Sequence, residues 1–273
     1  MCELFAMSSS HPATVTLSLG EFANHGGLTA DHVDGWGLAY VEDRDVRVFR
    51  DIDAAADSPY LDFVSQRSFS SDIVVSHIRK ATFGEVALRN THPFFRELGG
   101  RMHLFAHNGE LPGINELAAF GSRPFRPVGE TDSEMAFCVV LERLQPLWLT
   151  PGGVPSVEDR LGVLVDFARD LRALGPANFI YTDGEIVVLH GHQRKHRDDD
   201  TIGPPGLHFL CRSCQAKATS IRSRGLTIDT ATQHVVLAAS VPLTEEPWVA
   251  LGEGEVVLLR AGEIVRRVLP KEA

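Results

Sequence analysis

Cysteine is scarce in this chain: Cys2, Cys138, Cys211 and Cys214 are the only four in 273 residues. They are too few and too unevenly spread to staple a protein of this length, so a disulfide framework is excluded. Basic charge is also short. Lys and Arg total 26 against 36 Asp and Glu, a formal net charge of -10. Proteins that grip a phosphate backbone usually carry a basic excess, so no nucleic-acid partner is expected. Long apolar runs are missing, and none reaches the length of a membrane-spanning helix. The stretch after Met1, CELFAMSSSH, has neither the basic nor the apolar region of a secretory signal. Internal repeats and low-complexity tracts are absent too. These absences together predict a cytoplasmic protein without a membrane partner, in which a thiol stays reduced.

What is present is ordinary for a globular protein: 44% hydrophobic and 23% charged residues, in a chain long enough to bury a sizeable core. A Gly/Pro-rich stretch at residues 150–155 reads as a loop and not a linker, so residues 1–273 are expected to form a single domain. CELFAM is a strand candidate, and VTLSLGEFANHGG a short helix stopped at Gly26-Gly27. GWGLAYVE and VRVFRD read as a hairpin around a polar turn. DIVVSHIRKA and RMHLFAHNGE each run from an apolar strand into a polar cluster, so each presents polar side chains at a strand end. ETDSEMAFCVVLERLQ has an amphipathic helical period, and Thr131 with Glu134 fits a capping box that puts Asp132 in the first turn. Residues 156–174 form a second helix. Strands follow at NFIYTD, EIVVLHGH, GLHFLCR, HVVLAAS, EVVLLRAG and EIVRRVL. Helices between two strand-rich halves point to an α+β protein with layered antiparallel sheets rather than to alternating βαβ units.

Five polar clusters stand out: Cys2, SHIRKAT around Arg79, NTHPF around His92, AHNGE around Asn108, and ETDSE around Asp132. Singly, each has a commonplace explanation. A buried cysteine is a small hydrophobe, Asn-Gly is a hairpin turn signal, and Thr131 to Glu134 caps a helix. In combination and in this order, they resemble the class II glutamine amidotransferase domain, and within it the YafJ-type proteins. The motifs that carry the resemblance are MCEL, DGWG at 34–37, EVAL at 85–88, NTHPF at 90–94, HNG at 107–109 and PVGETDSE at 127–134. It extends more weakly into SVPLT and Trp248, so it spans most of the chain. As a set these motifs are specific; DGWG alone is not.

The resemblance implies a four-layer αββα N-terminal-nucleophile hydrolase sandwich. It also implies a cysteine nucleophile exposed as the first residue once Met1 is removed. Hydrolysis of a carboxamide needs a nucleophile, a base, oxyanion donors and a grip on the substrate. A thiol titrates near 8.5 and an α-amine at about 7.7–8.0, so a free Cys2 supplies both nucleophile and base. The resemblance places Asn108 and Gly109 in the oxyanion hole, Arg79 on the substrate α-carboxylate, and Asp132 on its α-ammonium. Thr91 and His92 are assigned to the substrate pocket. A guanidinium fork suits a carboxylate, and a carboxylate in a first helical turn is stabilised as an anion. Asp34 and Trp36 are expected to support the strand beneath Cys2, and His77 and His107 to be structural. No cofactor is required. The substrate is glutamine or another γ-glutamyl compound, and the partner the family pattern allows is an ammonia-accepting synthase subunit. The alternative class is a non-catalytic amino-acid-binding protein of the same fold.

Residues 190–214, HGHQRKHRDDDTIGPPGLHFLCRSC, have no counterpart in that motif set. His190, His192, His196, His208, Cys211 and Cys214 are zinc-binding types, but the histidines lack the spacing of a second half-site. The preferred expectation is a charged loop followed by a core strand, with no metal; the alternatives are a structural zinc site and a loop that covers the Cys2 pocket.

Overall fold

The computed structural model of the chain describes residues 2–14, 26–27, 32–67, 69–117, 124–150, 153–196, 201–215, 221–223, 226–228 and 232–270. Two antiparallel sheets lie face to face. In the first, β1 (Glu3–Thr14) runs between β4 (Ser70–Ile78) and β10 (Thr232–Ala239). Outside β4 come β2 (Trp36–Glu42) and β3 (Asp45–Asp51), and outside β10 come β9 (His208–Gln215) and β11 (Val249–Ala250). A short ribbon, Ile221–Ser223 with Leu226–Ile228, joins β1 at Thr14. The second sheet has the order β13-β12-β8-β7-β6-β5. Its strands are β5 (Phe94–Leu98), β6 (Arg101–Gly109), β7 (Ala177–Thr182), β8 (Val187–Gly191), β12 (Glu255–Arg260) and β13 (Glu263–Val268).

The two-residue side-chain period builds three apolar layers from these strands. Leu4 and Ala6 of β1 meet Leu104 and Ala106 of β6 between the sheets. Phe5 and Met7 face outward onto α1 (Pro59–Gln66), which contributes Leu61 and Val64. Phe105 of β6 faces the other way, onto α2 (Asp132–Trp148) and α3 (Val157–Arg172), stacking on Phe137 at 5.6 Å. Each fully buried Leu or Phe contributes about 1.5–3 kcal/mol, so the three layers jointly anchor both strand ends that carry polar clusters. The order helix, sheet, sheet, helix is the expected αββα sandwich.

The strands, the β2–β3 hairpin and both long helices fall where the apolar periods predict them, with three differences. β1 continues past CELFAM through SSSHPAT because its serines are satisfied inside the sheet. Ser9 Oγ donates to His11 O at 2.8 Å, and Ser8 Oγ accepts from the Gly262 N–H at 3.1 Å. α2 runs three residues past Gln145, through Pro146, and buries Trp148 against His103. β5 is an additional strand, closed onto β6 by Gly99-Gly100, both at positive φ as a tight hairpin turn requires. The helix predicted over VTLSLGEFANHGG lies outside the described residues except for Gly26 and Gly27.

DGWG has a steric explanation. A Cβ at Gly37 would overlap the His92 carbonyl oxygen, so β2 can pass beneath the NTHPF segment only without a side chain there. Gly37→Ala is expected to destabilise the fold by about 1–3 kcal/mol through that overlap. Urea denaturation followed by circular dichroism measures it, and an unchanged midpoint would refute the close approach.

Candidate active site

Cys2 stands just before β1. The β1–β4 ladder pairs Glu3 with Ile78, so the antiparallel register carries Cys2 to the turn that leaves β4 at Arg79. Its sulfur lies 3.3 Å from both the carbonyl oxygen and the amide nitrogen of Lys80. That turn is itself pinned by DGWG. The Arg79 N–H donates to Gly35 O at 2.8 Å, and the Ala81 N–H donates to the Asp34 carboxylate at 2.8 Å. Asp34 therefore holds the turn facing Cys2, while Trp36 packs into the core beside Tyr60. Burial pushes the Cys2 thiol up, and the Lys80 N–H and the Arg79 charge offset this only in part. Such a thiol is protonated at neutral pH and needs a base before it can attack.

β6 brings the second component from the opposite sheet. Alternation turns His107 toward α2 and Asn108 toward β1, where Asn108 Nδ2 donates to the Cys2 carbonyl at 2.6 Å. An amide nitrogen carries two protons, so this bond orients the group and leaves one donor for a ligand. Asn178 sits directly opposite Asn108 in the β6–β7 register and fixes it from behind. It donates to Asn108 O at 3.0 Å and Gln193 O at 2.7 Å, and accepts from the His192 N–H at 2.8 Å. Gly109 is needed sterically, since a Cβ there would overlap the Pro176 carbonyl.

Asp132 opens α2 behind the Thr131 cap, whose hydroxyl accepts from the Glu134 N–H at 3.2 Å. Its carboxylate also ties down the chain just past Gly109: Oδ2 accepts from the Leu111 N–H at 2.8 Å, and Oδ1 from the Ser133 N–H at 2.7 Å. Glu134 does not complete the expected capping box. Its buried carboxylate reaches farther back, accepting from the Val128 and Gly129 N–H groups at 3.0 and 2.7 Å and pairing with Arg96. A cavity of about 560 Å³ opens beside Asp132, walled by Thr82, Phe83, Glu110, Leu111 and Glu130 among others. Cys2, Arg79 and Asn108 do not line it. The chain links them to its wall through Lys80–Phe83 on one side and Gly109–Leu111 on the other.

Of the seven residues singled out in the sequence, five fall around this point: Cys2, Arg79, Asn108, Gly109 and Asp132. The Arg79 guanidinium is turned onto its own loop, donating to Glu85 O at 2.9 Å, Phe83 O at 3.2 Å and Gly84 O at 3.3 Å. Thr91 and His92 are buried away from the cavity. Thr91 Oγ1 donates to Ala87 O at 3.1 Å, and the His92 ring packs on His77 and Phe94 at 4.1 and 4.3 Å. Desolvation holds His92 well below the usual histidine range and His77 down to about 3, so both are neutral.

Three residues that the sequence did not single out for the site shape it: Asn90, Asn178, and Glu134, which was read there only as half of a capping box. Asn90 Nδ2 donates to Glu85 O and Glu130 Oε2, while its Oδ1 accepts from the Glu130 N–H, stitching the Arg79 loop to the loop before α2. The signal available for it was its place at the head of NTHPF, beside the two residues that were singled out. Among the zinc-type residues the His190 and His192 rings stack at 6.3 Å between centroids, but no third joins them as a ligand set among the described residues. His190 Nδ1 bonds Glu255 O, His196 Nε2 bonds Gly203 O, and Cys211 is exposed on β9. The Cys214 side chain lies outside the described residues, and no metal-like cluster forms among those described.

Two face-to-face antiparallel sheets flanked by helices, with a cysteine and an Asn-Gly pair meeting at their ends, define the N-terminal-nucleophile hydrolase fold. A profile of the glutamine amidotransferases class-II family matches residues 1–272. The chain belongs to the class II glutamine amidotransferases, a family of enzymes. It is 36% identical over 272 residues to YafJ of Escherichia coli (strain K12), described as a candidate glutamine amidotransferase, covering 97% of this chain and all of that one. A crystal structure of a predicted glutamine amidotransferase from Pseudomonas aeruginosa PA01 is 34% identical, covers 97% of this chain and all of its own, and superposes with a TM-score of 0.66. The glutamine phosphoribosylpyrophosphate amidotransferase of B. subtilis shares the fold at 12% identity, with a TM-score of 0.56. This chain matches 49% of it over 98% of its own length.

The raised Cys2 thiol yields a direct expectation. In protein that retains Met1, alkylation of Cys2 by iodoacetamide should keep climbing through pH 9, because thiolate forms only above the ordinary cysteine range. Peptide mass spectrometry separates Cys2 from the exposed Cys211. A rate already at its plateau at pH 7 would contradict the raised thiol.

Proposed function

We propose that this enzyme hydrolyses the γ-carboxamide of glutamine, or of a γ-glutamyl amide, through a γ-glutamyl thioester on Cys2, the whole chain acting as one glutamine amidotransferase domain. The observation that carries the reading is the 2.6 Å bond from Asn108 to the Cys2 carbonyl. It sets an amide donor beside the nucleophile and keeps its second proton for an oxyanion. With Met1 removed, the Cys2 α-amine takes the thiol proton as sulfur attacks the amide carbon. The same proton then passes to the departing nitrogen, which leaves as ammonia or an amine. Water, deprotonated by the Cys2 α-amine, cleaves the thioester to release glutamate, and the proton returns to sulfur to restore the thiol.

Asn108 and the Gly109 N–H stabilise the tetrahedral oxyanion, and Asp132 takes the substrate ammonium beside the cavity. Arg79 exchanges its loop carbonyls for the substrate α-carboxylate, which offers the same guanidinium a charged acceptor. Thr91 and His92 act from behind, holding the segment that follows the Arg79 loop. Ammonia passes to a synthase subunit, or the enzyme works as a free-standing hydrolase of γ-glutamyl compounds. The location that goes with this reading is the cytoplasm; among the described residues no helix is long and apolar enough to cross a membrane.

Cys2→Ala is expected to abolish ammonia release from glutamine, and Asn108→Ala to lower kcat by about 10²–10³-fold, the usual effect of losing one oxyanion donor. Intact mass of the active preparation should show loss of one methionine. A Cys2→Ala protein that releases glutamate at the wild-type rate, or full activity with Met1 retained, would defeat the proposal.

A further inference from the structure

His107 and Ser133 are buried polar residues next to the site, and the chemistry above uses neither. His107 is 1% and Ser133 6% exposed, and Nδ1 of the ring lies 2.9 Å from the Ser133 hydroxyl. That hydroxyl lies 3.2 Å from Asp132 Oδ1. The direction of each bond follows from what the groups can do. An ionised carboxylate only accepts, so Ser133 donates its one proton to Asp132. Its oxygen must then accept from His107, which puts the imidazole proton on Nδ1 and a bare lone pair on Nε2. Burial, only partly opposed by the Asp132 charge, brings His107 down to about 4, so the ring is neutral. Nε2 has no hydrogen-bond partner among the described residues and sits against Gly109, where a Cβ would come within 3.1 Å of it.

The lone-pair count gives this chain a purpose. A carboxylate offers roughly four acceptor sites, two on each oxygen. Oδ1 is filled by the N–H and hydroxyl of Ser133, whereas Oδ2 receives only the Leu111 N–H. One acceptor position therefore remains, on Oδ2. Without the hydroxyl, Oδ1 would regain an open position and the carboxylate could rotate between competing geometries. A point-charge ammonium does not correct this, since it imposes little direction of its own.

We propose that His107 and Ser133 are positioning residues that hold Asp132 so that a substrate ammonium is received on Oδ2. This rests on the glutamyl reading of the site and adds to it the two residues that make the ammonium contact selective. His107 also reaches Gly109 from the same ring, so one side chain of β6 connects the ammonium end of the pocket to the oxyanion end.

The test compares glutamine with its des-amino analogue, 5-amino-5-oxopentanoate, as substrates for ammonia release. Ser133→Ala should raise KM for glutamine about tenfold, as expected for weakening one charge-assisted contact. It should leave kcat within about twofold and shrink the preference for glutamine over the analogue by a similar factor. His107→Phe, which keeps the ring but removes the donor, should show the same split, and Ser133→Thr, which keeps the hydroxyl, should restore the preference. Equal losses on both substrates, or an unchanged preference in Ser133→Ala, would overturn the positioning role. A wild-type enzyme that shows no preference between the two compounds would instead overturn the assignment of Asp132 to the ammonium, and the positioning role with it.

Discussion

One hydrogen bond between two sheets carries the site: Asn108 at the end of β6 reaching the carbonyl of Cys2 at the start of β1. Neither sheet alone could build it. The contact exists because small and branched side chains, Leu4 and Ala6 against Leu104 and Ala106, set the separation of the layers right up to their edge. It is reinforced from each side. Asn178 anchors Asn108 within the second sheet, and the Asp34–Ala81 and Gly35–Arg79 bonds hold the turn that meets Cys2 on the first. A shift of one layer against the other would lengthen the contact between Asn108 and Cys2, and buried polar bonding converges on these few residues to hold it.

The loops at the mouth follow a different logic. The segments around residues 82–86 and 127–130 expose Phe83 and Val128, yet their backbones are held by buried side chains: Arg79, Asn90 and Glu134. Glu134 takes on the larger burden, a carboxylate nearly removed from water and satisfied by two N–H groups and Arg96. Polar anchors suit this place better than apolar packing. They fix direction as well as distance, and the Arg79 guanidinium alone gathers three carbonyls of its loop.

Much of this was legible in the sequence because it rests on periodicity and on residues with few alternative uses. The two long helices, the β2–β3 hairpin and the strands that lead to Arg79 and carry Asn108 all follow from apolar spacing. What was hidden depends on long-range partners. The serines of β1 look like a loop until Gly262 and His11 are seen to satisfy them. β5 is too short and too close to a proline to announce itself. Thr131 and Glu134 have capping-box spacing, but spacing could not reveal that Glu134 would serve Val128, Gly129 and Arg96 instead. Asn178 carries no local signature of burial and Asn90 only its place at the head of NTHPF; their roles appear when two distant segments are brought to the same amide.

The central claim is that Cys2 is the nucleophile of a pocket shaped for a glutamyl group. The most direct measurement is labelling of the processed enzyme with a diazoketone analogue of glutamine, which loses nitrogen gas as a thiolate alkylates its terminal carbon. The account predicts one adduct per chain, on Cys2, whose formation is slowed by added glutamate. Labelling of Cys211 in its place, or labelling of Cys2 that glutamate does not slow, would contradict it.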